Sequence, residues 1–178
     1  VPGTGKTITN GSLGDVMKES VSAAITYIRS VADQYEIENT FYKDKDIHIH
    51  FPEGAVPKDG PSAGITTCTA LISALGNIPV RHDIAMTGEI TLRGRVLAIG
   101  GLREKSMAAY KNGIKTVIIP AANEPDLAEI DDVVKKAIRF VPVHTMQEVL
   151  EEALVQMPGN AKKRSYHAAA AEHKDVSS

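Results

Sequence analysis

The stretch IAMTGEITLRGRVLAIGGLREKSMAAYKNG, residues 84–113, decides the fold. Residues 84–90 and 95–99 have strand composition and are joined across Leu92-Arg93-Gly94, a turn signal, so they predict two strands meeting in a hairpin. Gly100-Gly101 breaks the second strand and opens a helix that runs to about Asn112, with Gly113 in the position that closes a helix in a left-handed conformation. A hairpin followed at once by a helix already argues for strands and helices within one layered domain.

Working outward, residues 62–75 run small and apolar without a charge and end at Gly76, the pattern of a buried helix. Prolines 52, 57 and 61 and glycines 54 and 60 precede it and forbid regular structure there, so residues 52–61 read as a loop. Before the loop, Asp46-Ile-His-Ile-His-Phe51 alternates as a strand with two different faces. Residues 13–32 place Val16, Met17, Val21, Ala24, Ile25, Ile28 and Val31 near helical spacing, which predicts a long amphipathic helix. Downstream, residues 115–119 form a short buried strand stopped by Pro120, and residues 140–143 form another. Residues 145–154 read as a helix whose Thr145 and Glu148 have capping-box spacing. Hairpins mixed with crossovers give an α+β fold.

The composition narrows the function classes. No apolar run approaches the roughly 20 residues of a membrane span, and the N-terminus has no signal-peptide pattern. The one cysteine, Cys68, forms no internal disulfide, so we expect a cytoplasmic protein. Lys+Arg 20 against Asp+Glu 22 gives no basic field, which argues against a nucleic-acid partner. The chain opens on Val1, which we read as a cut from something longer. After Pro158-Gly159 large aliphatics are missing except Val176, so residues 159–178 are expected to be a disordered tail behind a domain of residues 1–158.

Several motifs invite chemistry. Pro2-Gly3-Thr4-Gly5-Lys6-Thr7 has the end of a phosphate-cradling loop, but such a loop needs a preceding strand and a helix starting at Lys-Thr. Residues 7–12, Thr-Ile-Thr-Asn-Gly-Ser, are β- and turn-like instead, so an opening strand is expected. His48 and His50 share one face of a strand as metal-binding pairs do, yet His82 and His144 offer no partner at ligand spacing, and no metal site is assigned. Cys68 falls inside an apolar helix, where a thiol is packing. Gly60-Pro61-Ser62-Ala63-Gly64 fits G-x-S-x-G, but the loop before it and Pro61 speak against a hydrolase elbow. Ser62 is left at a helix N-terminus, either as a plain N-cap or as a nucleophile whose oxyanion the helix amides hold. In the helix after Gly101, Lys105 shares the apolar face of Leu102 and Ala109. It is either a lysine at the edge of the stripe or a desolvated base, since burial and a first-turn position both favour a neutral amine.

PKDGPSAG (57–64) followed by MTGEITLRGRVLAIGGLREK (86–105) closely resembles the proteolytic domain of bacterial Lon, an ATP-dependent serine protease. The likeness runs from GSLGD (11–15) through DIHIHFPEG (46–54) and GIKTVIIP (113–120) to about Leu154. It implies a ribosomal-protein-S5-domain-2-like fold of mixed sheets with packed helices, and a serine endopeptidase with a Ser–Lys dyad. Ser62 would be the nucleophile and Lys105 the general base. Thr87 looks like the group orienting the lysine. Asp59 resembles a residue whose loop position separates open from blocked sites, and His48 and His50 match a supporting pair near the site that holds no metal. The resemblance implies no cofactor in this domain, with ATP and Mg used by an upstream AAA+ ATPase module that 178 residues cannot contain. It also implies a six-membered ring in the cytoplasm, serving protein quality control by degrading misfolded and short-lived regulatory proteins as unfolded chains, without a membrane or nucleic-acid partner. A substrate strand would pair beside residues 51–59. The competing expectations are a non-catalytic Lon-like assembly module and a serine esterase using Ser62, Asp83 and His144.

Overall fold

The computed structural model describes residues 2, 3, 5, 7–11, 15–38, 40–51 and 60–155. The expectations for residues 52–59, Lys6 and the tail 159–178 lie outside them. The elements in chain order are β1 (Thr7–Gly11), α1 (Asp15–Val31) running into a 3-10 turn (Ala32–Tyr35), α2 (Phe41–Asp44), β2 (Ile47–Phe51) and a second 3-10 turn (Gly60–Ala63) leading into α3 (Gly64–Gly76). Then come β3 (Ile84–Met86), β4 (Glu89–Ile90), β5 (Val96–Leu97), α4 (Leu102–Lys111) and β6 (Thr116–Pro120). The last described elements are a 3-10 segment (Ala121–Glu129), α5 (Asp132–Ala137), β7 (Arg139–Val143) and α6 (Met146–Ala153).

The core explains the arrangement. Met17, Val21, Ala24 and Ile28 recur at helical spacing on α1 and are all buried, and α1 packs on α3, whose Ile65, Cys68 and Ile72 are fully buried. β6 is buried at every position and lies between β3 and β7 in a parallel sheet. Its alternate residues serve opposite layers. Ile118 joins the cluster of α1, α3 and α6, while Val117 and Ile119 join Leu102, Ala109 and Val134 from α4 and α5. A central strand covered by helices on both faces is the condition that makes a continuous apolar run stable in a parallel sheet. A parallel pair β1–β2 and an antiparallel pair β4–β5 complete the described strands, so the fold is mixed, as α+β requires.

Three local expectations are corrected. The strand expected over residues 84–90 is two strands in different sheets: β3 pairs with β6, and β4 pairs with β5. The break falls at Thr87-Gly88: Thr87 N–H makes the last bond to β6, donating to Ile118 O at 3.1 Å, and Gly88 then turns to the serine segment, its N–H donating to Ser62 O at 2.9 Å and its O accepting from Ile65 N–H at 3.1 Å. The α-helix expected from Ser62 starts at Gly64, after one 3-10 turn. Pro120 does not stop β6 before itself. It closes the strand opposite Val143, past the point where β3 has ended, so its missing N–H interrupts no ladder.

Other expectations match. β1 is a strand paired in parallel with β2, from Thr7 opposite Ile47 to Gly11 opposite Phe51, where a nucleotide cradle would need a helix. α4 begins after Gly101 at φ +72° and ends before Gly113 at φ +73°, with Ile114 N–H donating to Ala109 O at 3.0 Å. Thr145 caps α6 by accepting from Glu148 N–H at 3.3 Å.

Candidate active site

Ser62 lies in the 3-10 turn ahead of α3 and is only 4% exposed. The α-helix N-cap is Ala63, so Ser62 stands one residue outside that role. Its turn is fastened to Gly88 in both directions. Gly88 N–H donates to Ser62 O at 2.9 Å, and Ile65 N–H donates to Gly88 O at 3.1 Å. The Ile65 amide is therefore not among the helix N-terminal donors that an oxyanion could use. Gly64 is required by close approach, since a Cβ there would lie 2.9 Å from the backbone nitrogen of Ile90.

Thr87 immediately precedes Gly88, and its side chain is buried. Its Oγ1 has no hydrogen-bond partner among the described residues. Lys105 lies on α4 between the buried residues Leu102, Ser106 and Ala109, with its backbone N–H on Gly101 O at 3.1 Å. Its Nζ is buried and likewise has no partner among the described residues. Thr87 Oγ1 and Lys105 Nζ are the two buried side-chain polar atoms left so there. Such atoms are rare in folded proteins and ask for an explanation. A buried amine without a partner leaves its hydrogen-bonding capacity unused, which is a cost to a purely structural lysine.

His48 and His50 alternate along β2 opposite Ile8 and Asn10, and His48 is exposed. Asp59 lies outside the described residues. Among the described residues no three His, Cys, Asp or Glu side chains are grouped to hold a metal ion. Cys68 is buried and unbridged, and burial pushes its thiol well above the usual range. No helix among the described residues is long and apolar enough to cross a membrane.

The triad of Ser62, Asp83 and His144 is not assembled. Asp83 Oδ1 and Oδ2 accept from Arg81 Nε at 3.2 Å and Nη2 at 2.9 Å, and this bonding holds its carboxyl below the usual carboxylate range. The His144 side chain is 68% exposed and faces Glu148 at 3.9 Å. A serine triad needs a buried carboxylate on the imidazole, and neither residue meets that condition.

One buried polar residue carries almost no mark in the sequence. Asn123 is 3% exposed and spends its amide on Ile99, accepting from its N–H at 2.9 Å and donating to its O at 2.8 Å. Its second N–H donates to Asp126 Oδ2 at 2.8 Å. The signal is slight: an Asn with an acidic residue three positions on, just past a buried strand.

Residues 1–156 match the family described as Lon protease (S16) C-terminal proteolytic domain. The chain is 57% identical over 155 residues to Lon protease 1 of Myxococcus xanthus, covering 87% of this chain and 19% of that protein. It is 56% identical over 161 residues to Lon protease of Brevibacillus choshinensis, covering 90% and 21%. With Lon protease of Bacillus thuringiensis (strain Al Hakam) the identity is 60% over 154 residues, covering 86% and 19%. The chain thus spans about a fifth of the length of the curated relatives it matches.

Proposed function

Because the chain belongs to the family of the Lon protease (S16) C-terminal proteolytic domain, we propose that it is a serine endopeptidase domain in which Ser62 attacks the peptide carbonyl and Lys105 is the general base. The observation that carries this is the buried Nζ of Lys105, without an acceptor among the described residues, on the helix face that also buries Leu102 and Ala109. A lysine kept only for stability would send its ammonium to solvent or to a carboxylate.

The chemistry is set by these groups. Lys105 Nζ takes the proton from Ser62 Oγ as that oxygen bonds to the carbonyl carbon, and the carbonyl π electrons move to oxygen. Amide N–H groups at the turn entering α3, other than that of Ile65, would receive the oxyanion. The C–N bond then breaks as Lys105 returns the proton to the departing amine, leaving an acyl group on Ser62. Water repeats the sequence with Lys105 again as base, releasing the carboxylic acid and restoring the serine. Thr87 Oγ1 and Lys105 Nζ are not bonded to each other in this structure; Thr87 is assigned to orient the amine when substrate is bound, and Asp59, His48 and His50 are supporting residues. No metal or cofactor enters these steps.

The same membership supports the wider reading: a ribosomal-protein-S5-domain-2-like fold, and a domain that works in a longer cytoplasmic enzyme. There an upstream ATPase module using ATP and Mg would deliver unfolded polypeptide to a hexameric chamber. Capture by a peptide boronate, read as intact mass, tests the chemistry. Wild type gains one adduct, Ser62→Ala gains none, and Lys105→Ala hydrolyses a fluorogenic peptide about 10²-fold or more slowly. Equal capture by wild type and Ser62→Ala would remove Ser62 from the mechanism.

A further inference from the structure

Lys105 must be held in place by something, because its Nζ has no partner among the described residues to fix it. Its position is inherited from the backbone of α4, and in particular from the first turn, where Lys105 N–H bonds to Gly101 O. Gly101 is the N-cap, at φ +72°, and no side chain caps the helix. The start of α4 therefore depends on the chain that enters it, residues 98–100, which belong to no strand or helix. The buried Asn123 grips that entry at Ile99 with a two-way amide bond, 2.9 Å in one direction and 2.8 Å in the other. The side chain imitates a neighbouring β-strand for one residue.

The grip is itself well founded. Asn123 lies beyond β6 within the 3-10 segment Ala121–Glu129, and that segment packs against α4. Asp126 accepts the second Asn123 N–H, which fixes the orientation of the amide group. Ile99, Leu102 and Ala109 share one apolar cluster with Val117 and Ile119 of β6. From these contacts we infer that Asn123 is a positioning residue for Lys105, setting the entry to α4 so that the amine stays in its buried place. This rests on the assignment of Lys105 as the general base, and it concerns a residue that touches neither substrate nor the reacting atoms.

The experiment reads position and catalysis separately. Acetylation of lysines by a water-soluble N-hydroxysuccinimide ester, followed residue by residue by mass spectrometry, reports the accessibility of each amine without any need for activity. In wild type Lys105 should react about tenfold more slowly than the exposed Lys111 of the same helix. In Asn123→Ala its rate should rise about fivefold or more, while Lys111 and Lys115 stay within about twofold. On a fluorogenic peptide kcat should fall by about 10²-fold with KM within about twofold, the pattern of a displaced base. Should Asn123→Ala fail to fold, Asn123→Asp combined with Asp126→Asn carries the test. It keeps the shape, the acceptor for Ile99 N–H and an amide–carboxylate contact, and loses the donor to Ile99 O, so a smaller rise at Lys105 is expected. Unchanged protection of Lys105 in a folded variant, or an equal rise at all lysines, would overturn the inference. Absence of Ser62-dependent hydrolysis in wild type would instead overturn the protease assignment, leaving the acetylation pattern to decide the role of Asn123 by itself.

Discussion

The backbone N–H of Gly88 donates to the carbonyl of Ser62 at 2.9 Å, and the carbonyl of Gly88 accepts from Ile65 N–H at 3.1 Å. Residue 88 thereby holds the serine turn to the point where the chain leaves the parallel sheet. Thr87, one residue earlier, is bonded to Ile118 of β6. A continuous run of backbone bonds thus joins the central strand to the turn of Ser62.

Glycine at positions 64 and 88 lets these segments come together, and the two should differ in tolerance. A Cβ at residue 64 would meet the Ile90 backbone nitrogen at 2.9 Å, which cannot retreat without moving β4. At residue 88 it would meet Val96 Cγ1 at 2.9 Å and Ile65 Cδ1 at 3.2 Å, side-chain ends that can shift. Gly88→Ala should cost about 1–3 kcal/mol and Gly64→Ala more than that. Both should slow peptide hydrolysis, and denaturant unfolding beside activity checks the ranking. A Gly64→Ala protein as stable as wild type would contradict it.

Lys105→Met should separate stability from activity. Methionine nearly matches the length of the lysine stem and removes an amine that is buried without an acceptor among the described residues. The unfolding midpoint should stay level or rise, because a buried unpaired polar group is relieved. Peptide hydrolysis should fall by about 10²- to 10⁴-fold, the usual value of general-base catalysis. A clear loss of stability would mean that Nζ has a stabilising partner.

The parts of this fold legible in the sequence are those whose causes are local. The stripe of α1, the uncharged run of α3, the glycines bounding α4 and the Thr145–Glu148 cap each act within a few residues. The break at Thr87-Gly88 was not legible, because its cause is distant in sequence: Gly88 takes its partners at Ser62 and Ile65. α5 spans six residues, too few for a period to emerge. Asn123 is paired with Ile99, 24 positions away, and the acidic residue three positions on is the slight local sign of its role. For Ser62 and Lys105 the residue types alone left a cap and a stripe-edge lysine as sufficient explanations. Family likeness singled them out, and the orphaned amine supplies support of a different kind.

Stability should decline in alkali. Burial, reinforced by the nearby Cys68, pushes the Tyr27 hydroxyl up to about 12, and burial also raises Tyr35 and the Cys68 thiol. In the unfolded chain these groups ionise from about pH 8.5 for cysteine and about 10 for tyrosine. A folded state that holds protons more tightly is favoured fully below the unfolded values, and the advantage is lost as pH rises toward the folded ones. The urea midpoint should therefore be flat to about pH 8 and fall between about pH 9 and 12, with a shallower fall in Cys68→Ala. Tyrosine absorbance titrating as a single class near pH 10 in the folded protein would refute the assignment.

Substitution of His144 distinguishes the dyad from a histidine-dependent enzyme. The imidazole is exposed and its contact with Glu148 is a long one, 3.9 Å, of the kind worth about 0–1 kcal/mol. His144→Ala leaves the Thr145 cap on Glu148 N–H in place, so α6 should keep its start. Asp83→Ala removes only an exposed pair with Arg81. Both variants should hydrolyse a fluorogenic peptide within about twofold of wild type, since surface changes away from buried features cost little. A catalytic triad demands the opposite, because losing its histidine or disabling its aspartate lowers kcat by about 10⁴-fold or more. Measured side by side, a collapse on Lys105→Met with near-normal rates for His144→Ala and Asp83→Ala fixes the proton acceptor as an amine, whereas a collapse on His144→Ala would require the imidazole to reach Ser62 from a surface position now turned toward Glu148.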